Sequence, residues 1–96
     1  MTNQFMIIGR LVDNPVVKEI EGKKISKITI AVSRPFRNNE GIYETDFIPC
    51  ILFSNLAKNV ENYCKKGDLI GVQGRIECLN KNLKIVGDKV TFLSTK

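Results

Sequence analysis

Residues 44–53, ETDFIPCILF, are apolar on both faces of the strand that they would form. Alternate side chains of a strand point to opposite faces. One face would carry Phe47, Pro49, Ile51 and Phe53, and the other Ile48, Cys50 and Leu52. A strand in a small antiparallel domain usually buries one face only. We assign the face with Cys50 to the core, which leaves open whether Phe47 and Phe53 are further core residues or bind a ligand.

The other residues that could take part in catalysis or metal binding do not form a catalytic or metal site. Glu44 and Asp46 alternate onto one face, but two-metal catalysis would need a further acidic partner, and the chain has no histidine. The cysteines, Cys50, Cys64 and Cys78, form no CxxC pair of the kind that zinc sites use. We therefore expect no metal, no cofactor and no enzymatic activity. The odd number of cysteines favours a reducing compartment, the cytoplasm, with Cys50 and Cys64 as small core residues.

The chain of 96 residues is basic, with a net charge of +5 and a pI near 9.3. Such a balance favours polyanionic partners, nucleic acid first and an anionic membrane surface second, although ordinary solubility charge would look the same. No amphipathic basic helix supports the membrane alternative. The longest apolar runs have the length of strands, and the N-terminus lacks the features of a secretory signal.

Hydrophobic periodicity of two predicts strands along most of the chain. They cover residues 4–12, 16–20, 24–36, 43–53, 68–79 and 83–93. Turn residues separate them at positions 13–15, around Gly22 and Gly41, and at the tight Asn-Lys-Asn segment of residues 80–82. Because residues 16–20 form only a short strand, the prediction contains five long strands.

Residues 54–67, SNLAKNVENYCKKG, break this pattern and predict the single helix. Its apolar residues recur at helical spacing, namely Leu56, Val60, Tyr63 and Cys64. We expect Ser54 to cap the first turn and Gly67 to follow the last. Lys65 and Lys66 would then lie at the negative end of the helix dipole. The aromatic residues assigned to the core are Phe5, Tyr63 and Phe92.

Three long strands, one helix and two further long strands are the element order of the OB fold, a five-stranded Greek-key barrel. The expected fold class is all-β with one helix, which lies between the third and fourth long strands. Glycines within strands mark the bulges and bends that close such a barrel, and these are Gly9, Gly71 and Gly74. A chain of this length makes one domain, residues 1–96.

Several short motifs occur together in a specific order and spacing. They are MIIGRLVDNPVVK near the start, ITIAVSRPFRN, ETDFIPCILFSNLAKNVENYCKKGDLIGVQGRI and the closing VTFL. With these motifs the chain resembles the bacterial single-stranded DNA-binding proteins along essentially its whole length. The resemblance implies sequence-independent binding of single-stranded DNA in replication, recombination or repair, without catalysis.

Members of that family stack bases on aromatic side chains, and the matching positions here are Phe36, Phe47 and Phe53. Stacking is nearly independent of base sequence, which suits a protein that coats single strands. Positions that are basic in relatives match Arg37, Lys65 and Lys66, and the further candidates for phosphate contacts are Arg10, Arg34, Arg75 and Lys84. Each of these cations could equally be a solvated surface charge.

The chain also departs from the family pattern. It has no tryptophan for stacking, its last hairpin is cut to residues 80–82, and Pro49 stands where relatives carry a polar or basic residue. We expect a smaller DNA footprint per subunit. The chain stops at FLSTK without the flexible linker and acidic tail through which relatives recruit repair and replication proteins, so it is either truncated or a tail-less paralogue.

The resemblance implies self-association and leaves a second function open. Family members join their barrels through the first strand, and the apolar FMIIGRLV segment is compatible with that contact. We expect a homotetramer, with a homodimer as the alternative. The second functional hypothesis is a primosome-type adaptor on the same fold, which would work mainly through contacts with helicase or primase.

Overall fold

The computed structural model describes residues 1–94 of the chain. Its elements are β1 (Phe5–Leu11), β2 (Val17–Ile20), β3 (Lys23–Arg37), β4 (Tyr43–Phe53), α1 (Ser54–Tyr63), β5 (Leu69–Leu79) and β6 (Asn82–Ser94). The predicted order of strands and helix is confirmed. With the short β2 counted, α1 lies between β4 and β5, which are the third and fourth long strands.

Five of the strands close into a ring. The hydrogen-bonded order is β1-β5-β6-β4-β3-β2, and β1 also pairs with β3 at Arg10 and Leu11. The pairs are antiparallel except for β4 with β6, which meet in parallel at Ile51 and Val86. β2 lies outside the ring because it pairs only with β3. This arrangement is the OB fold that the order of elements predicts.

The hydrophobic core fills the ring and extends under α1. Its members are Leu11, Ile28, Ile30, Cys50, Leu52, Ala57, Val60, Cys64, Ile70 and Val72. Burial raises the pKa of the Cys50 thiol to about 11, and burial also raises the pKa of the Cys64 thiol. The assignment of these two cysteines to the core is confirmed, whereas Cys78 is exposed.

Two of the predicted strand glycines lie where backbones approach closely. A Cβ atom on Gly9 would overlap the carbonyl oxygen of Ala31, and one on Gly74 would overlap that of Val86. The register of β5 against β6 shifts between Gln73 and Gly74, which identifies a β-bulge there. Beyond the bulge, residues 75–79 pair with residues 82–86 in a largely exposed hairpin, which we call the hairpin arm.

Both tight turns have the predicted positions. The β2–β3 hairpin turns through Glu21 and Gly22, with φ of 50° and 79°, and the hairpin arm turns through Asn80 and Lys81, with φ of 54° and 68°. Positive φ at both central residues is typical of the two-residue turns that match the twist of paired strands. Gly41, at φ 79°, also turns the loop between β3 and β4 as predicted.

The predicted ends of the helix are wrong. Ser54 has a φ of 56° and makes no capping hydrogen bond, and α1 ends at Tyr63 because Cys64 is extended. Gly67 therefore lies in the following turn, and Lys65 and Lys66 lie outside the helix. The backbone N–H groups of these two lysines donate hydrogen bonds to side chains outside the helix. The Lys65 amide donates to the Asp68 carboxylate at 2.9 Å, and the Lys66 amide donates to Asn14 Oδ1 at 2.8 Å.

The assignment of Tyr63 and Phe92 to the core is also wrong. Their side chains are 67% and 45% exposed, and their rings pack against each other on the surface with centroids 6.1 Å apart. The buried side of α1 carries Ala57 and Val60 and continues to Cys64, so it is rotated away from Tyr63. Phe5 is half-buried and packs against the core. Within residues 1–94, no helix is long and apolar enough to span a membrane.

Candidate nucleic-acid interface

The outer face of β3 and β4 carries two of the predicted stacking residues. Cys50 and Leu52 are fully buried, so the alternate residues of β4 point outward, and Phe47 and Phe53 are 63% and 39% exposed. The predicted assignment of the two faces of this strand is therefore confirmed. An exposed ring on a sheet surface costs hydrophobic free energy and offers a flat apolar platform to a ligand.

The strand pairings connect each phenylalanine to a cation across the sheet. Phe47 lies opposite Ala31, and Ala31 lies opposite Arg10 of β1. Residues directly opposite on neighbouring strands have their Cβ atoms about 5 Å apart on the same face. Arg10 and Phe47 thus belong to one row that crosses three strands.

The second row contains a lysine that the sequence did not single out. Phe53 lies opposite Ile25, and Ile25 lies opposite Lys18 of the edge strand β2. An aromatic, an aliphatic and a cationic side chain therefore follow one another across the sheet. The alternation of β2 carries no sign of this relationship, because only the register between β2 and β3 aligns Lys18 with Phe53.

Phe36 lies near the end of β3 and is 77% exposed. The pairing of β3 with β4 is irregular between Ser33 and Arg37, so Phe36 is outside the regular ladder. Arg37 pairs with Tyr43, and its guanidinium carbon lies 5.2 Å from the centre of the Tyr43 ring, in cation–π distance. Tyr43 is a further exposed aromatic that sequence reasoning missed. Its signal is the same alternation in β4 that places Phe47 and Phe53 outside.

Arg34, one of the predicted phosphate ligands, is held by two carboxylates. Its guanidinium donates to Glu44 Oε1 at 2.7 Å and to both oxygens of Asp46 at 2.9 and 3.1 Å. The hydrogen bond from Arg34 holds the pKa of the Asp46 carboxyl below its usual range. Two carboxylates around one guanidinium give this cluster a net negative charge, so Arg34 is not a free cation.

Arg75 is held in the same way on the other side of the ring. Its Nε donates to Glu77 Oε2 at 2.8 Å, and its Nη1 donates to Asp88 Oδ1 of β6. Arg75 also lines a cavity of about 550 Å³ between β1, β5 and β6, and none of the predicted stacking residues lines this cavity. The structure therefore does not bring Arg75 together with the other predicted site residues.

Arg10, Lys65 and Lys66 come together at one end of the ring. The guanidinium of Arg10 donates to the carbonyl of Gly67 at 2.9 Å, which joins β1 to the turn that carries both lysines. The amide of Gly67 in turn donates to the carbonyl of Leu11 at 2.9 Å. Because Arg10 also belongs to the Phe47 row, this basic turn and the outer face form one surface.

Two grooves border the outer face. The edge groove, of about 420 Å³, is lined by Asn14, Val16, Lys18, Ile20, Ile25 and Lys27. The hairpin groove, of about 320 Å³, lies between the outer face and the hairpin arm and is lined by Lys27, Pro49, Cys50, Ile51, Ile76, Leu83, Lys84 and Ile85. Lys84 is the predicted site residue in the hairpin groove, and Lys27 lines both grooves. Residues 1–94 contain no cluster of metal-ligating side chains.

The sequence matches the model of a known protein family, described as the single-strand binding protein family, over residues 2–93. The chain belongs to this family. Single-stranded DNA-binding protein 1 of Clostridium acetobutylicum is 42% identical over 98% of this chain and 96% of its own length. Single-stranded DNA-binding protein B of Bacillus subtilis is 41% identical over 100% of the chain and 94% of its own length.

Other members of the single-strand binding protein family are longer. The single-stranded DNA-binding protein of Oceanobacillus iheyensis is 38% identical over 100% of this chain, which covers 66% of that relative. The resemblance that the motifs indicate is confirmed by these matches and by the fold. The single-strand binding family is in general a DNA-binding family rather than a family of enzymes.

Proposed function

We propose that this protein binds single-stranded DNA without regard to sequence and without catalysis. The observation that supports this most directly is the exposure of Phe47 and Phe53 on one outer face of the sheet, with Phe36 at the end of β3. The names of the relatives, all described as single-stranded DNA-binding proteins, support the same substrate. We propose residues 1–96 as a single binding domain, active in the bacterial cytoplasm in replication, recombination or repair.

Stacking explains why the binding would ignore sequence. Every base presents a flat ring, and a base on an aromatic side chain is worth about 1–3 kcal/mol. A duplex keeps its bases stacked inside, so the exposed rings of Phe47 and Phe53 would gain nothing from it. Discrimination between single and double strands then follows from the same side chains as the affinity.

Cations beside these rings would hold the phosphates. Arg10 belongs to the Phe47 row and joins the turn of Lys65 and Lys66, and Arg37 lies beside Phe36. Each phosphate neutralised on a single strand steepens the salt dependence of binding by about 0.7 in log–log slope. Several phosphate contacts would therefore make the affinity fall sharply with added salt.

We propose that the protein assembles as a homotetramer through β1, with a homodimer as the alternative. On one side β1 pairs with β5 along residues 5–10, but on the other side it pairs with β3 only at residues 10 and 11. Within the described residues, the first part of β1 thus has one free edge. Met6 and Ile8 on this strand are about half-exposed, and an apolar edge strand of this kind is stabilised by pairing with a second copy.

The hairpin arm favours a second candidate, the primosome-type adaptor. Leu79 and Leu83 are 58% and 74% exposed on it, and exposed leucines are more typical of a protein contact than of a phosphate contact. In that function the affinity for a helicase or primase would exceed the affinity for DNA. The DNA-binding measurement below separates the two candidates.

The test is a titration of fluorescein-labelled dT oligomers of graded length, at low and high salt, with duplex DNA as competitor. Tight, length-dependent and salt-sensitive binding that duplex does not displace supports the proposal. Weak binding, or no preference over duplex, refutes it and favours the adaptor.

Alanine variants of the two phenylalanines locate the site. Phe47→Ala and Phe53→Ala should each weaken binding by about 5- to 150-fold, which is about 1–3 kcal/mol, for all sequences alike. Tyr63→Ala is the control, because Tyr63 is exposed to nearly the same extent as Phe47, at 67% against 63%, but lies on α1. Normal binding by both phenylalanine variants would mean that the outer face of β3 and β4 is not the binding surface.

A further inference from the structure

The ladder between β3 and β4 is interrupted at one place, near the end of β3. Between the pairs formed by Ser33 and by Arg37, β3 has residues 34–36 whereas β4 has only Glu44. Extra residues in one strand form a β-bulge, which lies outside the ladder and redirects its side chains. We call residues 34–36 the β3 bulge. Phe36 is exposed within it, so its direction is set by the bulge and not by the alternation of the strand.

The backbone of the β3 bulge has little freedom of its own. Pro35 has a fixed φ, and its ring restricts the preceding residue, Arg34, to extended conformations. After the bulge, Arg37 returns to the ladder opposite Tyr43, with its guanidinium carbon 5.2 Å from the centre of that ring. Phe36 is therefore held on its C-terminal side by Arg37, and its N-terminal side depends on how Arg34 is held.

Arg34 is held by a bidentate ion pair and by a second carboxylate. Its Nε and Nη2 donate to Asp46 Oδ2 and Oδ1 at 3.1 and 2.9 Å. Its Nη1 donates to Glu44 Oε1 at 2.7 Å. A bidentate pair fixes the orientation of the guanidinium as well as its position. The first residue of the β3 bulge is thus anchored to the opposite strand.

The carboxylate of Glu44 also holds the loop that follows the β3 bulge. Its second oxygen, Oε2, accepts a hydrogen bond from Asn38 Nδ2 at 3.1 Å. Asn38 Oδ1 accepts from the backbone N–H groups of Glu40 and Ile42 at 2.9 and 3.0 Å, which holds the loop closed. Glu44 therefore joins the start of the bulge to the loop. The bulge network is the set of four side chains Arg34, Asn38, Glu44 and Asp46.

The energetics of these contacts favour a local function over a contribution to the core. The side chains of Arg34, Glu44 and Asp46 are about half-exposed, and isolated ion pairs of this kind contribute little to folding stability. Bidentate pairs and networks are the exceptions, and this cluster is both. Because its members lie on either side of the β3 bulge, its free energy acts on the conformation of the bulge.

We propose that the bulge network positions Phe36 for base stacking, so that Arg34 acts through this ring and is not a phosphate ligand. With the segment already ordered, a base that stacks on Phe36 does not have to order it first. Arg34 would also have to give up its pair with Asp46 before it could bind a phosphate in the same bidentate manner. The inference rests on the proposed function and makes Arg34 a positioning residue of that site.

A double-mutant cycle of dT binding tests the proposal. Arg34→Lys keeps the charge but cannot form the bidentate pair, and it should weaken binding by about 2- to 10-fold, the cost of ordering one side chain. In the Phe36→Ala background the same substitution should have no further effect, because the ring that it positions is gone. In the Phe53→Ala background it should keep its full effect, since Phe53 lies at the other end of β4 from Glu44.

Salt dependence separates positioning from phosphate binding. The double variant Arg34→Gln/Asp46→Asn removes one positive and one negative charge, so the net charge of the cluster is unchanged. We expect weaker binding with the wild-type log–log slope. A slope lower by about 0.7 would mean that Arg34 neutralises a phosphate and would overturn the proposal. Wild-type affinity in both Arg34→Lys and the double variant would overturn it as well.

A measurement without DNA keeps the proposal distinguishable from the proposed function. The NMR order parameter of the Phe36 backbone amide should be near 0.85 in the wild type, as for a rigid backbone, and should fall below about 0.6 in Arg34→Lys. Thermal melts should coincide, because the pair is exposed. An unchanged order parameter refutes the positioning of Phe36. If the order parameter falls but the wild type does not bind dT oligomers, the positioning is confirmed and the proposed function is wrong.

Discussion

Replacing Gly74 with alanine should destabilise the protein far more than the same change at Gly71 in the same strand. A Cβ atom at Gly74 would overlap the carbonyl oxygen of Val86 in β6, which is backbone and cannot rotate away. At Gly71 the nearest atom would be Ile8 Cγ1 at 3.6 Å, an ordinary van der Waals contact. The two positions thus differ in what the new methyl group meets, and both lie in β5.

The size of the effect follows from that overlap. Forcing an extra methyl group into a packed site costs about 1–3 kcal/mol. Because the overlapping atom is a ladder carbonyl, β5 and β6 must also separate locally, and each hydrogen bond lost costs about 0.5–1.5 kcal/mol. We expect Gly74→Ala to lose about 2–4 kcal/mol of unfolding free energy. Gly71→Ala should stay within about 1 kcal/mol of the wild type.

Urea unfolding at one protomer concentration measures both values, with sedimentation velocity to establish that the assembly state is unchanged. For a domain of this size about 3 kcal/mol lowers Tm by about 12–24 °C, so a thermal melt gives the same ranking. A Gly74→Ala variant that unfolds within about 1 kcal/mol of the wild type would refute the close crossing of β5 and β6.

Two further predictions concern titratable groups. Arg34 lowers the pKa of Asp46, so this carboxylate contributes stability that is present above its unfolded pKa of about 4 and is lost as pH falls through the lower folded value. Asp46→Asn should therefore flatten the decline of unfolding free energy in acid, measured by urea unfolding across that range, and an unchanged decline would contradict the ion pair. Cys78 is exposed whereas Cys50 and Cys64 are buried, so native protein should show one rapidly reacting thiol with Ellman's reagent and unfolded protein three. Rapid reaction of a second thiol in the native state would argue against the described core.

The ion pairs change how the basic residues of the sequence are interpreted. Nothing in the sequence distinguishes Lys18 and Lys27 from other surface lysines, yet both line the edge groove beside Phe53, and neither has a carboxylate partner within residues 1–94. Arg34 stands beside Phe36 in the sequence but is held by two acids of β4. Adjacency along the chain therefore does not indicate which of these cations is paired with a carboxylate.

The sequence by itself determined the two faces of β4 and the turns between the strands, although it placed Phe92 of β6 wrongly in the core. Alternation in residues 44–53 correctly assigns Cys50 and Leu52 to the core and Phe47 and Phe53 to the outside. The turn around Gly22 and the bulge at Gly74 are likewise predicted, because both depend on the conformation of a few consecutive residues. The motifs, taken in order, predict the family.

Only the tertiary structure decided the ends of the helix and the partners of the charges. α1 ends at Tyr63, and beyond it the backbone N–H groups of Lys65 and Lys66 donate to the side chains of Asp68 and Asn14. Asn14 is 52 residues away from Lys66 along the chain. The spacing of apolar residues in α1 predicts that Tyr63 faces the sheet. Tyr63 is exposed instead, because the side of α1 that packs on the sheet carries Ala57 and Val60. Alternation and positive φ are properties of local backbone, whereas a side chain's partner depends on which distant strand folds beside it.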